Sequence, residues 1–426
     1  MCGLSGIFNL EGKKVDDIIL SSMNDTIIHR GPDYGQIKVI GNVGLTHRRL
    51  SIIDLSDAAN QPMCTEDQRY TIVYNGEIYN FREIRTKLIQ NGIKFFSKSD
   101  TEVILKSFQL WGAKCFEEFN GMFALAIYDN LKNELTLARD QFGIKPLYIY
   151  QDSKNYIFAS EIKAIISHPE IKLSIKKESL SEYIWYGNPM GENTIYNEIN
   201  EIKAGSYAVI KNGSINYNQY FEINDIEEAS LDIREVIEHT RSLFIQSVKR
   251  HLISDVPVGI FLSGGVDSSA ITAVASKLCN RRINTYSVGF DFQQGPNELA
   301  NAAIIASRYN TNHNEIHISG KDIVPYIEAM VKAHDAPFGD AADIPLNMLS
   351  KELKGQIKVV LQGDGGDEIF GGYSIYNTLQ NLKKWRLTKY FSTLIRFSRI
   401  KSYQALRLQR FIDAICEKEP SIRNAK

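Results

Sequence analysis

Cys2 stands one residue from the start of the chain. Removal of Met1, which a small second residue permits, would leave Cys2 with a free α-amine. Such an amine ordinarily titrates at about 7.7–8.0, close to neutral pH. One residue then supplies a sulfur nucleophile and a nearby base, with no histidine partner required. A lone cysteine near a terminus is more often a small apolar side chain, so the surrounding sequence has to tip the balance. A second signal is Leu262-Ser263-Gly264-Gly265-Val266-Asp267-Ser268-Ser269, which follows an apolar run and opens a helical one. Glycines let backbone approach a phosphate closely, and several N–H groups plus the helix start then face the anion. Ser263, Ser268 and Ser269 add hydroxyl donors. The chain has no Gly-Lys-Ser/Thr, so this is not a Walker A loop, and the third glycine of a dinucleotide fingerprint is missing. A further glycine-rich loop, Gly363 to Tyr373, follows the apolar run 357–361.

These residues need elements to position them. The chain has 426 residues, which at roughly 100–200 per domain means two or three domains. Hydrophobic residues at 43% and charged residues at 23% exclude disorder over most of the length. A formal net charge of −1 speaks against a general nucleic-acid binder. No apolar run approaches the roughly 18 residues of a spanning helix, and the start lacks the pattern of a signal peptide. Cysteines at 2, 64, 115, 279 and 416 have irregular spacing and form no CxxC pair. That points away from a disulfide framework or zinc site and toward a reduced, cytoplasmic protein.

The first 210 residues read as short β-prone runs with a few helices. Gly3 to Leu10, Val43 to Ile53 and Tyr70 to Asn75 are expected strands closed by turn residues. Asp16 to His29 and Phe81 to Asn91 are expected helices, and Met122 to Tyr128 with Glu134 to Ala138 an expected hairpin. Beyond Phe221 an acidic stretch reads as a linker, and helical and strand patterns then alternate from Ile233 to Leu361, which argues a parallel sheet. The tail from Gly371 carries nine Lys or Arg and no acidic residue between Glu368 and Asp413, with Trp385, Tyr390, Phe391, Phe397 and Tyr403 interleaved. It reads as covering helices with a solvated basic face in preference to a membrane-binding helix.

Five segments change the odds for Cys2. Cys2-Gly3-Leu4-Ser5-Gly6-Ile7-Phe8, His29-Arg30-Gly31-Pro32-Asp33, His47 to Asp54, Tyr74-Asn75-Gly76-Glu77-Ile78-Tyr79-Asn80 and Ser99-Asp100-Thr101-Glu102 occur in that order. The series resembles the N-terminal-nucleophile (class II) glutamine amidotransferase domain. The resemblance implies an α+β domain, an αββα sandwich of the Ntn-hydrolase type, over residues 2–212. It implies Cys2 as nucleophile, with the Asn75 side chain and the Gly76 N–H as oxyanion hole. It implies Arg49 on the glutamine carboxylate and Asp100 on its ammonium, with Asn75 and Glu77 in support. Arg30 and Asp33 flank a turn, with structural and functional roles evenly weighted.

The Ser263 loop resembles the pyrophosphate loop of ATP pyrophosphatases. That implies an α/β domain with a parallel sheet over residues 236–426, after a linker at 213–235. It implies ATP held by Leu262, Ser263, Gly264, Gly265, Asp267, Ser268, Val288, Gln362 and Gly363, with Mg²⁺ on Asp267 and Asp367. Together the halves resemble glutamine-dependent asparagine synthetases. Aspartate would be activated as an acyl-adenylate and attacked by ammonia channelled from Cys2.

Three features depart from that family's pattern. Gln362 replaces a serine, Asn314 replaces the second of two histidines, and residues 371–426 lack the family's Pro-Phe-Leu-Asp segment and later lysine. The departures keep other readings open: amidation of another carboxylate such as a sugar uronic acid, or an ATP-binding protein with an incomplete synthetase site and residual glutaminase activity. The expected partners are glutamine and a carboxylate acceptor, with a homodimer or a complementing C-terminal chain also allowed, and no nucleic acid.

Overall fold

Alternation of side chains along the strands builds the first half of the molecule, because successive residues of a strand face opposite sides. The computed structural model describes residues 1–223, 232–290, 298–319, 324–337, 339–340, 342–373 and 376. Contacts divide the chain into a unit of residues 1–361 and a second unit of residues 362–426. Among the described residues the strands are β1 (Gly3–Asn9), β2 (Tyr34–Ile40), β3 (Val43–Arg49), β4 (Met63–Cys64), β5 (Tyr70–Ile78), β6 (Gly121–Asp129), β7 (Glu134–Arg139), β8 (Tyr148–Gln151), β9 (Asn155–Ala159), β10 (Ile199–Glu201), β11 (Ser206–Lys211), β12 (Ser214–Gln219), β13 (Val258–Phe261), β14 (Asn284–Phe290), β15 (Asn312–Ile318) and β16 (Val359–Leu361).

Two six-stranded sheets form the front of the chain, ordered β10-β8-β9-β1-β3-β2 and β12-β11-β7-β6-β5-β4. The strand pairs within both are antiparallel. Leu4, Phe8, Val43 and Leu45 of the first sheet bury against Val73, Ala124, Ala126 and Tyr128 of the second. Ile72, Tyr74, Leu125 and Ile127 face the other way, onto Ile84 and Leu88 of helix Phe81–Gln90 and Val103, Ile104 and Phe108 of helix Asp100–Trp111. Ile7 and Ile157 of the first sheet pack outward on Leu20 and Met23 of helix Asp17–Thr26 and on Ile162 and Ile165 of helix Ile162–Ile166. The result is four layers, αββα, as expected.

Several boundaries move. The run expected as one strand to Ile53 leaves the sheet at Arg49. The strand expected to close at Asn75 runs through Asn75-Gly76 to Ile78. Residues 214–219, expected in a linker, form β12 on the edge of the second sheet, paired Lys211↔Ser214 to Ser206↔Gln219. The helix Ile233–His251 begins where the helical pattern places it, overlapping the last residues of the expected linker span.

Beyond it lies a four-stranded sheet, ordered β15-β14-β13-β16, parallel throughout. Helices Val266–Leu278 and Glu298–Arg308 are the crossovers between β13, β14 and β15. That is the alternation read from the sequence. The described part of the second unit holds the short helix Gly366–Phe370. The expected basic tail beyond Tyr373 lies outside the described residues except Tyr376, as does Cys416. No helix among the described residues is long and apolar enough to cross a membrane.

Candidate active site

Cys2 immediately precedes β1, whose pairing with β3 sets Gly3 opposite Arg48. The thiol therefore meets the chain just as it leaves β3: Leu50 N–H donates to Cys2 Sγ at 3.4 Å, and Sγ lies 3.7 Å from the Leu50 carbonyl oxygen. Burial pushes the thiol pKa up, and the Leu50 contact and the chain-terminal amine only partly offset that. A thiol in this position needs a base. Met1 is present in the structure, so the free amine is that of Met1. Burial brings that amine down to about 6, so it is mostly neutral at pH 7. Arg30 Nε donates to the Cys2 carbonyl at 2.8 Å, and Arg30 Nη1 donates to Glu161 at 2.9 Å. Arg30 thus anchors the backbone of Cys2.

Asn75 and Gly76 lie within β5. Asn75 is buried, and its Nδ2 has no hydrogen-bond partner. An unpaired buried donor costs about 1–3 kcal/mol, so a donor kept that way has another use. Gly76 is required by packing: a Cβ there would stand 2.2 Å from the Met122 carbonyl oxygen and 2.7 Å from Phe123 Cα on β6.

Asp100 opens the helix Asp100–Trp111, which Ser99 caps by accepting the Thr101 N–H. The Asp100 carboxylate accepts from Tyr74 Oη at 2.8 Å and from Ile78 N–H at 3.1 Å. Burial raises its pKa, and those donors pull it back. Glu77 is raised to about 7, first by burial and then by the charge of Asp100. Lys145, buried and lowered to about 8 by burial, is held up by Glu77. The charges of Asp100 and Arg49 both act on the Cys2 thiol.

Arg49 is nearly buried and ties down the chain after β3. Its Nη1 donates to the Ser56 carbonyl at 2.9 Å and to Asn60 Oδ1 at 2.7 Å. Its Nη2 donates to the carbonyls of Ile53 and Asp54. Sequence reasoning missed Leu50, Lys145 and Tyr74. The Tyr74 signal was available, since the residue abuts Asn75 in the quoted segment. No sequence pattern singles out Lys145.

The second cluster sits at the end of β13. Leu262 N–H donates to the Tyr286 carbonyl at 2.8 Å, and its carbonyl accepts from Ser287 Oγ. Both backbone groups of Leu262 thus already bond β14, leaving one carbonyl lone pair. Ser263 Oγ and Ser268 Oγ are 3.0 Å apart, and Gly265 N–H donates to Ser263 Oγ at 3.3 Å. Gly264 has φ +79, and a Cβ there would meet Ala302 N at 2.7 Å. The helix Val266–Leu278 has no side-chain cap, and Ser269 Oγ is buried without a partner. Asp267 lies in the helix's first turn. The helix start is therefore left without a side-chain cap, as a helix-end anion site is. Val288 lies half-buried on β14, against Tyr286, Leu349 and Leu353. In the second unit, Gln362 donates to Asp364, and Gly372 N–H donates to the Asp367 carbonyl at 2.9 Å. Among the described residues no group of three or more His, Cys, Asp or Glu side chains could hold a metal by itself.

Comparison with known proteins agrees with this division. Residues 1–221 match a family described as a glutamine amidotransferase domain, and residues 239–421 match one described as asparagine synthase. Fold and matches define the class as an Ntn-type amidotransferase domain followed by an asparagine-synthase domain. Asparagine synthetase [glutamine-hydrolyzing] 3 of Bacillus subtilis is 35% identical over 397 residues, which is 89% of this chain and 64% of that protein. A putative asparagine synthetase [glutamine-hydrolyzing] 2 of Methanocaldococcus jannaschii is 35% identical over 396 residues, 88% of this chain and 76% of that protein. Asparagine synthetase B [glutamine-hydrolyzing] of Escherichia coli is 31% identical over 409 residues, 90% and 67% respectively. The chain belongs to the glutamine-hydrolysing asparagine synthetase family. It spans 64% and 60% of the lengths of two Bacillus subtilis relatives.

Proposed function

We propose that this protein releases the amide nitrogen of glutamine at Cys2 and transfers it to an ATP-activated carboxylate, with aspartate as the acceptor. The observation that carries the reading is the buried, unpartnered Asn75 Nδ2, on β5 between Tyr74, which feels the charge of Cys2, and Glu77, which feels that of the terminal amine. The sulfur attacks the side-chain amide carbon, and the amine at the chain start accepts the thiol proton. That amine is Cys2's own once Met1 is removed. The negative oxygen of the tetrahedral intermediate takes hydrogen bonds from Asn75 Nδ2 and Gly76 N–H. The C–N bond then breaks, ammonia leaves with the proton, and water releases glutamate from the thioester. Asp100 holds the α-ammonium of glutamine, supported by Glu77, while Arg49, whose Nη1 and Nη2 already bond Ile53, Asp54, Ser56 and Asn60, meets the α-carboxylate through its charge and its remaining Nε–H.

The second half supplies an electrophile. A carboxylate attacks the α-phosphorus of ATP, and pyrophosphate leaves toward Ser263, Gly264, Gly265 and Ser268. Leu262, Val288, Gln362 and Gly363 would line the adenylate. Asp267 and Asp367 would hold Mg²⁺, which neutralises phosphate charge when bound. Ammonia carried internally stays unprotonated and displaces AMP. The test is pyrophosphate and asparagine formation with Mg-ATP, glutamine and aspartate, with Cys2→Ala beside the wild type. Cys2→Ala should abolish glutamate release and spare ammonia-driven synthesis. Glutamate release by Cys2→Ala would overturn the nucleophile.

One observation favours a second acceptor. Gln362, standing where the family has serine, reaches to Asp364 and places a longer amide in that loop. A sugar uronic acid or another carboxylate would then replace aspartate. Pyrophosphate released with that acceptor and not with aspartate would decide for it.

A further inference from the structure

The chain between Arg49 and Ser56 is held from both halves of the first unit. Its front end carries Leu50, which contacts the Cys2 thiol. Ser51 N–H donates to Asp33 Oδ2 at 2.8 Å, and the same oxygen accepts Lys358 Nζ at 2.7 Å. Asp255 N–H donates to the Ile52 carbonyl at 3.0 Å. Asp54 N–H returns the bond to Asp255 Oδ2 at 2.7 Å. Asp54 Oδ1 accepts Ser56 Oγ at 2.6 Å, Oδ2 accepts Lys98 N–H at 2.6 Å, and its carbonyl accepts Arg49.

Every polar group of Asp54 is therefore used, and the residue stands at φ +53. A non-glycine residue in that region persists where its surroundings over-determine it. Two of the residues that hold this segment, Asp255 on Asp54 and Lys358 through Asp33 on Ser51, lie outside the amidotransferase sandwich. Asp255 is three residues before β13, and Lys358 immediately precedes β16, its parallel neighbour paired Val258↔Val359. Both therefore sit at the same end of adjacent strands, and β13 runs on into the Ser263 loop. Lys358 and the Ser51 N–H hold the Asp33 carboxyl below its ordinary range against partial burial.

We infer that Asp255 and Lys358 are positioning residues for glutamine hydrolysis: they fix residues 50–54 so that Leu50 meets Cys2 and Arg49 keeps its orientation. The inference rests on the proposed glutaminase reading. It makes the glutamine site dependent on the parallel-sheet half through a loop neither half holds alone. Asp255 acts by accepting the Asp54 N–H, so a neutral acceptor of the same shape preserves the bond and an alanine does not. Lys358 acts through Asp33, one bond further away.

The test is glutamate release by the full chain without ATP, for Asp255→Ala, Asp255→Asn and Lys358→Met. Asp255→Ala should raise KM for glutamine about tenfold with a smaller change in kcat, the scale of one charge-assisted hydrogen bond. Asp255→Asn should stay near wild type, and Lys358→Met should raise KM about threefold. Iodoacetamide labelling of Cys2, read by mass spectrometry, should be faster in Asp255→Ala because Leu50 no longer covers the thiol. Wild-type KM and labelling rate in Asp255→Ala would overturn the inference. So would equal defects in Asp255→Ala and Asp255→Asn. If Asp255→Ala does not fold, unchanged KM and labelling in Lys358→Met, whose side chain is 38% exposed, would overturn it. Labelling does not require turnover, so a wild type that makes no glutamate overturns the glutaminase reading and leaves this inference to the labelling result.

Discussion

The Tyr74 hydroxyl donates to Asp100 Oδ2 at 2.8 Å, joining the residue before the proposed oxyanion donor Asn75 to the proposed ammonium-binding carboxylate. Tyr74 lies on β5 and Asp100 opens a helix 26 positions later, so the bond locks helix to sheet inside the site. Burial already raises the Asp100 pKa, and the Tyr74 donor is the first force opposing it. Tyr74→Phe removes that donor and raises the carboxyl further. In the proposed reading the charged form binds the glutamine ammonium, so the acid limb of kcat/KM should move to higher pH. The pH profile of glutamate release between pH 5 and 8 checks this, and an unmoved limb would contradict it.

Asn75→Ala separates function from stability. The Asn75 Nδ2 has no partner in the fold, so its removal takes away an unpaired buried donor. The midpoint of thermal unfolding should fall by no more than a few degrees from the lost packing. Glutaminase kcat should drop ~10²–10³-fold, the usual cost of one oxyanion donor. A large loss of stability with little loss of rate would make Asn75 a structural residue.

Much of this site was legible as ordered motifs, but its supports were not. The helix Asp100–Trp111 carries Asp100, yet it has no one-sided apolar period because residues 100–108 are buried all round. Its available signal was Ser99 followed by Glu102, a capping-box pattern. In the structure Ser99 does cap, though it accepts the N–H of Thr101 and not that of Glu102, while Glu102 accepts from the N–H groups of Phe96 and Ser97. Leu50, Ile52 and Ile53 read as continuing β3 because the apolar residues go on. Their backbone groups are taken by Cys2 and Asp255, partners far away in sequence, and by the Arg49 side chain folding back. Asn75-Gly76 read as a turn for the opposite reason: local propensity says turn, while close approach to β6 asks for glycine within the strand. The parallel sheet was easier at β13 and β16, which are apolar runs set between helices.

Gly76→Ala tests that last point. The added methyl would lie 2.2 Å from the Met122 carbonyl oxygen, a backbone atom that cannot swing aside. β5 and β6 must part at the Gly76↔Phe123 pair. The expected cost is about 3 kcal/mol, with activity lost in the same variant. Urea unfolding followed by circular dichroism measures it, and a midpoint equal to wild type would show that the sheet can yield.

Glu161 gives a pH dependence whose direction follows from its partners. Burial pulls its carboxyl up, but His29, Lys163 and Arg30 prevail and bring it from 4.5 down to about 2. Arg30 in turn holds the Cys2 carbonyl, so this cluster anchors the nucleophile's strand. A carboxyl depressed in the folded state is protonated more readily in the unfolded chain. Its contribution is therefore complete above pH 4.5 and is lost as pH falls toward about 2. Glu161→Gln should cost about 1–2 kcal/mol at pH 7, allowing for solvent screening of the partly exposed partners. The gap between variant and wild type should close as denaturation is repeated from pH 5 to pH 2.5. A gap that stays constant over that range would assign the loss to packing instead of charge.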